Sequence, residues 1–246
     1  LLAENSSDEL SDGTVEYRER YTYFSPARRS EVERDSNGDG VPDRVTTYQY
    51  DAFGNVIREE ISTDGQPGAE EVVITRYDDN GEVTFRERAN VTTLALVTQQ
   101  FTTDAAGNRV EYLLDADGDG LFERRDTFVY NEFREWTERS MDFDNDGAPD
   151  RVLTRAFNNL GIQTLATTDL DGDGIVDRRT EYTVGVDNRF ARVDYDTDDD
   201  PDVEFFVEFT YNADGLETRR VNDRTGQNLS IITTDNSYDA AGNLLR

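Results

Sequence analysis

The sequence contains no cysteine, histidine or lysine, so all 25 of its basic residues are arginines. Without cysteine, disulfides, thiolate nucleophiles and soft-metal sites are excluded. Without histidine, a Ser-His-Asp triad and histidine-ligated metals are excluded as well. Paired carboxylates remain as candidate catalysts, but nearly every clustered carboxylate belongs to a recurrent loop pattern. We therefore predict no catalytic residues, no organic cofactor site and no enzyme activity.

Basic charge and apolar residues are both scarce. The chain has 54 acidic residues and a net charge of −29, which argues against nucleic acid as a partner and favours cations. Hydrophobic residues make up only 35% of the sequence, so we expect a thin core. The sequence has no apolar run of the roughly 20 residues that a membrane-spanning helix needs, which predicts no membrane insertion.

A turn-like hexapeptide organises the chain. It has the form aromatic, Asp or Asn, two variable residues, Gly, Asn or Glu, as in Tyr50-Asp51-Ala52-Phe53-Gly54-Asn55. Asp or Asn opens such a turn and Gly takes its positive-φ position. Nine copies follow one another at a spacing of 27 residues, with one spacing of 26. Their first residues are Tyr23, Tyr50, Tyr77, Thr103, Tyr130, Phe157, Val184, Tyr211 and Tyr238.

The segments between these tyrosine turns predict an all-β fold. They are rich in β-branched and aromatic residues, and a second, acidic turn recurs between them in the same register. We predict a long antiparallel meander of about nine 27-residue β-hairpin repeats, forming a single array over residues 1–246, with a fragment of a longer array as the alternative. So many strands favour a curved or spiralling sheet.

A parallel β-helix or solenoid is the alternative architecture, because it also gives a fixed period with aligned turns. Stacked coils would place equivalent acidic turns about 4.8 Å apart and force them to share ions, whereas hairpins separate them about twice as far. Each acidic turn carries a full ligand set of its own, which favours hairpins.

The acidic turns have the composition of calcium loops. In the loop from Asp169 to Asp177, carboxylates occupy positions 1, 3, 5 and 9, and Gly174 stands at position 6, where the chain turns. Ca²⁺ takes six to eight oxygen ligands, and the carbonyl of position 7 can supply one of them. Position 12 lacks the bidentate Glu of an EF-hand, so these loops are not EF-hands.

Five loops share this pattern, which predicts about five Ca²⁺ sites. The predicted ligands are Asp35, Asn37, Asp39, Val41 and Asp43; Asp115, Asp117, Asp119, Leu121 and Glu123; Asp142, Asp144, Asp146, Ala148 and Asp150; Asp169, Asp171, Asp173, Ile175 and Asp177; and Asp196, Asp198, Asp200, Asp202 and Glu204.

Some turns leave the assignment open. The last loop also permits a rival register of Asp194, Asp196, Asp198 and Asp202. The turns near Asp8, Ser62, Ala89 and Asp223 have lost ligands or the Gly, so we expect them to be empty or weak.

These loops indicate a calcium-stabilised structural module such as a stalk, filament or adhesin scaffold. Loops with affinities near 10⁻⁴–10⁻³ M are filled only outside cells, which predicts an extracellular or cell-surface location. Calcium ions are the expected partners. End-to-end strand addition would make the chain its own partner.

The aromatic stripe that includes Tyr48, Tyr50, Phe209 and Tyr211 could bind a surface glycan or protein, although core packing is the favoured interpretation.

The hexapeptides beginning at Tyr50, Tyr77, Tyr211 and Tyr238 resemble the tyrosine-aspartate (YD) repeats of bacterial Rhs proteins and teneurins. This resemblance implies hairpins that curl into a spiral shell, and it makes part of an Rhs-type toxin shell an alternative function. The acidic loops resemble the aspartate-rich calcium loops of thrombospondin type 3 repeats and dockerins. The regular interleaving of the two motifs is more typical of a stalk or filament.

Overall fold

The computed structural model describes residues 2–7, 17–63, 68–198, 202–224 and 230–245. These residues form 20 β-strands and no helix. None of them belongs to a helix that is long and apolar enough to cross a membrane.

In chain order the strands are β1 (Leu2–Ser7), β2 (Tyr17–Ser25), β3 (Arg28–Asp35), β4 (Arg44–Tyr50), β5 (Val56–Ser62), β6 (Glu71–Tyr77), β7 (Val83–Asn90), β8 (Leu96–Thr103), β9 (Arg109–Asp115), β10 (Arg124–Tyr130), β11 (Trp136–Asp142), β12 (Arg151–Phe157), β13 (Gln163–Asp169), β14 (Arg178–Val184), β15 (Phe190–Asp196), β16 (Phe205–Tyr211), β17 (Glu217–Asp223), β18 (Ile232–Asp235), β19 (Ser237–Tyr238) and β20 (Leu244–Leu245).

The chain divides into two compact units, Leu1–Arg125 and Asp126–Arg246. In the first unit, β1 to β9 each pair antiparallel with the next strand in the sequence. In the second unit, β11 to β18 follow the same rule, and β19 pairs with β20. Within each unit, consecutive strands therefore form an antiparallel meander.

The tyrosine turns form as their composition predicts. In the turn after β4, the amide of Asp51 donates to the carbonyl of Asn55 (3.0 Å), and the Asp51 carboxylate accepts from the amides of Phe53, Gly54 and Asn55. Gly54 has a φ of +100°, which glycine adopts without a steric penalty. Four backbone amides are thereby satisfied within this short turn.

Two features of the tyrosine turns were not predicted. The strand register shifts at the residue that opens the turn, for example between Gln49 and Tyr50, so a β-bulge recurs with the repeat. Arg134 and Asn188 take positive φ angles (63° in both) where other copies have glycine. The turn thus keeps its geometry when its most characteristic residue is replaced.

The core is thin, as the composition predicts. Among the described residues, the buried hydrophobic side chains are Ile61, Val73, Met141 and Val193. Most other strand residues are half-buried or exposed, and Arg pairs with Glu across neighbouring strands, as Arg88 does with Glu71 (3.3 Å) and Arg192 with Glu208 (2.8 Å). Stability therefore depends on contacts between neighbouring strands more than on one central core.

The all-β antiparallel meander is confirmed, and the parallel β-helix is wrong for the described strands because their recorded pairings are antiparallel. A curved or spiralling course of the sheet stays a prediction from strand number and twist.

Candidate metal centre

Each acidic loop is a nine-residue connection between paired strands. The loops join β3 to β4, β9 to β10, β11 to β12, β13 to β14 and β15 to β16. The amide at position 9 closes the loop by donating to the carbonyl just before position 1: Asp43 to Arg34, Glu123 to Leu114, Asp150 to Met141, Asp177 to Thr168 and Glu204 to Tyr195, at 2.8–3.1 Å. The sequence period therefore places each loop at the end of a hairpin.

The position 1 carboxylate is the organising centre of the loop. In the loop from Asp169, its two oxygens accept from the amides of Gly172 (2.7 Å) and Gly174 (2.9 Å). The side chains at this position are buried, with exposed fractions of 5% for Asp35, 4% for Asp115, and 7% for both Asp142 and Asp169. Four of the five loops therefore hold a buried carboxylate inside a shell of backbone amides, whereas Asp196 is half-buried.

Burial opposes the charge on Asp169, but the hydrogen bonds from Gly174 and Gly172 outweigh it, and the pKa of Asp169 lies below its ordinary value. The carboxylate is therefore charged at neutral pH and available to a cation.

The other carboxylates in the loop have distinct roles. The position 9 carboxylate accepts from the amide at position 2, as Asp150 does from Phe143 (2.6 Å). Position 5 accepts from the amide at position 7, as Asp119 does from Leu121 (2.7 Å). In the four loops that begin at Asp35, Asp115, Asp142 and Asp169, positions 3 and 5 are exposed, so the loop presents them to solvent above the buried position 1.

Four of the loops bring carboxylates together within the described part of the chain. In each group, one oxygen from every member lies within 4.8 Å of the others. The groups are Asp115 with Asp117, Asp119 and Glu123; Asp142 with Asp144 and Asp146; Asp169 with Asp171 and Asp177; and Asp196 with Asp198 and Glu204.

This spacing fits a calcium ion. Ligands at about 2.3–2.6 Å from Ca²⁺ stand no more than about 5 Å apart across it, and carboxylate oxygens are its preferred donors. Several acidic groups of this chain can therefore hold a metal ion.

Other predicted ligands are placed differently. Asp150 and Asp173 lie outside the groups of their own loops, and Asp35, Asp39 and Asp43 form no such group among the described residues. In that first loop, Asn37 instead accepts from the amide of Asp39 (2.9 Å).

Position 7 offers an amide to the loop and an exposed side chain to solvent. The amides of Val41, Ala148 and Ile175 donate to the position 5 carboxylates at 2.8 Å. The side chains of Val41, Leu121 and Ile175 are 55%, 70% and 55% exposed.

In the last loop, Asp200 lies outside the described residues, whereas Asp202 is among them. Asp194 accepts from Arg192 (2.7 Å) instead of joining the group. The structure therefore favours the register that begins at Asp196 over its rival.

One residue that closes a loop was missed. In the degenerate turn that begins at Ser62, Glu70 occupies position 9 and accepts from the amide of Thr63 (2.5 Å), as the acidic loops do. Glu70 lies 27 residues after Asp43, the position 9 residue of the first loop, and this spacing could have identified it from the sequence. The turn near Asp8 lies outside the described residues, as do 225–229 after Asp223.

The aromatic stripe makes contacts within the sheet. Tyr195 stacks on Phe205 with ring centroids 4.3 Å apart, and Phe209 and Tyr211 lie nearly parallel at 6.5 Å. Tyr211 also donates its hydroxyl to the Phe190 carbonyl (3.1 Å). These contacts favour a packing role for the stripe.

No family model and no curated protein matches the chain. Among solved structures, it is similar to a Photorhabdus luminescens Tc holotoxin pore carrying a TccC3 mutation, with a TM-score of 0.49 and 12% identity over 89% of this chain. It is also similar to the crystal structure of TcdB2-TccC3 (TM-score 0.35, 11% identity, 93% of this chain and 15% of that one). A porin-like protein from Bacteroides uniformis ATCC 8492 matches with a TM-score of 0.36, 13% identity, and coverage of 85% of this chain and 89% of that one.

The chain spans only 13% of the length of the first of these structures. With TM-scores below 0.5, these likenesses carry no argument about function.

Proposed function

We propose that the chain is a calcium-stabilised structural repeat module of the cell exterior, serving as a stalk, filament or adhesin scaffold and not as an enzyme. The observation that carries this proposal is the recurrence of a carboxylate group at equivalent hairpin loops, in register with the 27-residue repeat. Catalytic sites are usually single and enclosed, whereas a repeated ligand set is typical of a structural ion.

The composition supports a structural role for the ion. The chain has no cysteine for disulfides and few buried hydrophobic side chains, so its stability needs another source. An ion held at ten times its Kd adds roughly 1.4 kcal/mol, and five such ions add about 7 kcal/mol. Whole domains are stable by about 5–15 kcal/mol, so occupancy of the loops would decide whether the sheet persists.

The location follows from the ion. Exposed position 3 and 5 carboxylates give open loops of modest affinity, and calcium is abundant enough to fill such loops only outside cells. The net charge of −29 adds repulsion that bound cations reduce.

The test is thermal unfolding followed by far-UV circular dichroism, in millimolar Ca²⁺ and in excess chelator. We expect a β-type spectrum and a midpoint about 15–25 °C higher with Ca²⁺, from the summed binding energy and the entropy of unfolding of a chain of this length. NaCl at the same ionic strength is the control, because it screens charge without filling a loop.

A matched set of variants locates the effect. The triple variant Asp117→Asn, Asp144→Asn and Asp171→Asn replaces one charged ligand by a neutral amide in each of three loops and should lower the calcium response. Asp79→Asn removes an exposed carboxylate from a tyrosine turn and should keep it. An equal midpoint in Ca²⁺, chelator and NaCl would reject the proposal.

A further inference from the structure

Two neighbouring acidic loops are in direct backbone contact. Gly172, at position 4 of the loop from Asp169 to Asp177, lies against positions 8 and 9 of the loop from Asp142 to Asp150. A Cβ atom added to Gly172 would stand 1.7 Å from the carbonyl oxygen of Pro149 and 3.3 Å from the carbonyl carbon of Asp150. Only a bare Cα fits there, so the two loops touch without an intervening side chain or solvent layer.

The contact joins residues that hold each loop in shape. On one side, Asp150 closes its loop twice, because its amide donates to the carbonyl of Met141 (2.8 Å) and its carboxylate accepts from the amide of Phe143 (2.6 Å). On the other side, the amide of Gly172 donates to Asp169 (2.7 Å), a member of the next carboxylate group. A shift of either loop therefore displaces an anchor of the other.

From this contact we infer that the loops Asp142–Asp150 and Asp169–Asp177 are filled by calcium cooperatively, as one coupled pair. The inference rests on the proposed function, since it concerns the same sites. Binding that orders one loop fixes the surface against which the other must order, so the second ion meets a smaller entropic cost. Coupling of this kind typically changes affinity by 5- to 150-fold, and it acts in both directions.

The chain offers a matched control for the contact. Gly174 has a φ of +89°, close to the +72° of Gly172, but no atom lies within 4 Å of the Cβ that alanine would add. Gly172→Ala and Gly174→Ala therefore impose similar backbone strain on the same loop. Only Gly172→Ala pushes against the neighbouring loop.

The experiment follows two backbone amides of the full chain by NMR during a Ca²⁺ titration. The amide of Gly147 donates to Asp142 (2.9 Å), and the amide of Gly174 donates to Asp169 (2.9 Å), so each reports its own loop. Asp171→Asn replaces one charged ligand of the second loop by a neutral amide and so weakens that site. We expect it to raise the midpoint for the residue 174 amide severalfold and the midpoint for Gly147 at least about twofold.

The glycine variants test whether the contact carries this coupling. In the Gly172→Ala background, Asp171→Asn should move the Gly147 midpoint less than twofold, whereas in the Gly174→Ala background the full effect should persist. If Asp171→Asn leaves the Gly147 midpoint unchanged in the chain with both native glycines, the inference is overturned, whereas calcium binding itself is not. If neither amide responds to Ca²⁺, the proposed function fails as well.

A second readout needs no metal. In chelator, Gly172→Ala should speed hydrogen exchange at the Gly147 amide severalfold, and Gly174→Ala should leave it unchanged, because only the former disturbs the neighbouring loop. Equal exchange at Gly147 in both variants would show that the loops order independently and would contradict the inference.

Discussion

At the scale of single residues, the chain stabilises buried charge by surrounding it with donors. Asp126 is only 1% exposed and accepts from Arg139 (2.6 Å), and the position 1 carboxylates accept from loop amides. Glu19 is the clearest case. It accepts from Arg34 at 2.7 and 3.0 Å and from the hydroxyl of Tyr21.

The environment of Glu19 predicts an acid-dependent loss of stability. Hydrogen bonds from the hydroxyls of Tyr17 and Tyr21, followed by those from Arg34, lower the pKa of Glu19 to about 2. A carboxylate with a depressed folded pKa contributes its stability above the unfolded pKa of about 4.5 and loses it as the pH falls toward 2. Glu19→Gln should therefore cost about 2 kcal/mol at pH 7 and almost nothing near pH 2.

Urea unfolding of the wild-type chain and of Glu19→Gln between pH 7 and pH 2 measures this difference. Glu82→Gln is the control, because Glu82 is exposed and its side chain makes no hydrogen bond or ion pair in the described part of the chain. A Glu19→Gln penalty that stays constant over the whole pH range would mean that the carboxylate charge is not what the site stabilises.

At the scale of elements, the hydroxyls of Tyr77, Tyr211 and Tyr238 each tie a hairpin to the one before it. Tyr77 donates to the carbonyl of Val56 (3.0 Å), and Tyr238 donates to the carbonyl of Glu217 (2.8 Å). Each bond spans 21 residues and reaches the first residue of a strand. The repeated tyrosine thus combines ring packing with one directed bond between successive hairpins.

Removal of one hydroxyl tests this role. Tyr77→Phe should lower the free energy of unfolding by about 1 kcal/mol, because the Val56 carbonyl loses its donor while the ring keeps its packing. Tyr50→Phe should change it by less than about 0.5 kcal/mol, since Tyr50 packs its ring against Phe24 but its hydroxyl makes no hydrogen bond in the described structure. Chemical denaturation of both variants measures the two effects, and equal losses would show that the hydroxyl bond adds nothing specific.

Much of the fold could be predicted from the sequence because the turn residues are explicit. The Asp or Asn and the Gly that occupy the positions of Asp51 and Gly54 mark a turn in most copies of the hexapeptide. The distance between successive turns then sets the length of the strands. The bulge at Tyr50 could not be predicted, since it arises from strand pairing and not from residue type. The positive φ of Arg134 could not be predicted either, because the hydrogen bonds of its own turn hold a conformation that arginine disfavours.

The acidic loops were predictable in position but not in detail. Alternating carboxylates around Gly174 revealed a ligand pattern. The sequence could not show that loop amides already occupy oxygens of Asp169, or that Asp173 stands apart from Asp171 and Asp177. Both features depend on which carboxylate oxygens accept hydrogen bonds from the folded backbone, and residue types alone do not determine this.

At the scale of the whole molecule, strands contact mainly the strands that come directly before and after them in the sequence. Within each unit, the strand pairs with substantial contact are consecutive in the sequence. The long-range order of a unit is therefore the sum of neighbour contacts, as in other repeat proteins.

This locality predicts the response to force. Stretched from its ends in Ca²⁺, the chain should yield in a series of small steps, each releasing one repeat of 27 residues, or about 90 Å of extended chain. Single-molecule force spectroscopy measures the step length. The steps should become weaker in chelator, and a single large release for a whole unit would contradict a neighbour-by-neighbour design.

The neighbour-only contacts of the meander also bear on how such a chain can change over generations. The first and last strands of a unit do not have to pair with each other. If a segment of one period is duplicated or deleted, every remaining strand therefore still pairs with a strand of the kind it paired with before. Gain or loss of one hairpin therefore alters the length of the chain and the number of acidic loops without a change to the interior. The number of repeats can therefore change during evolution without a change in how the repeats contact one another.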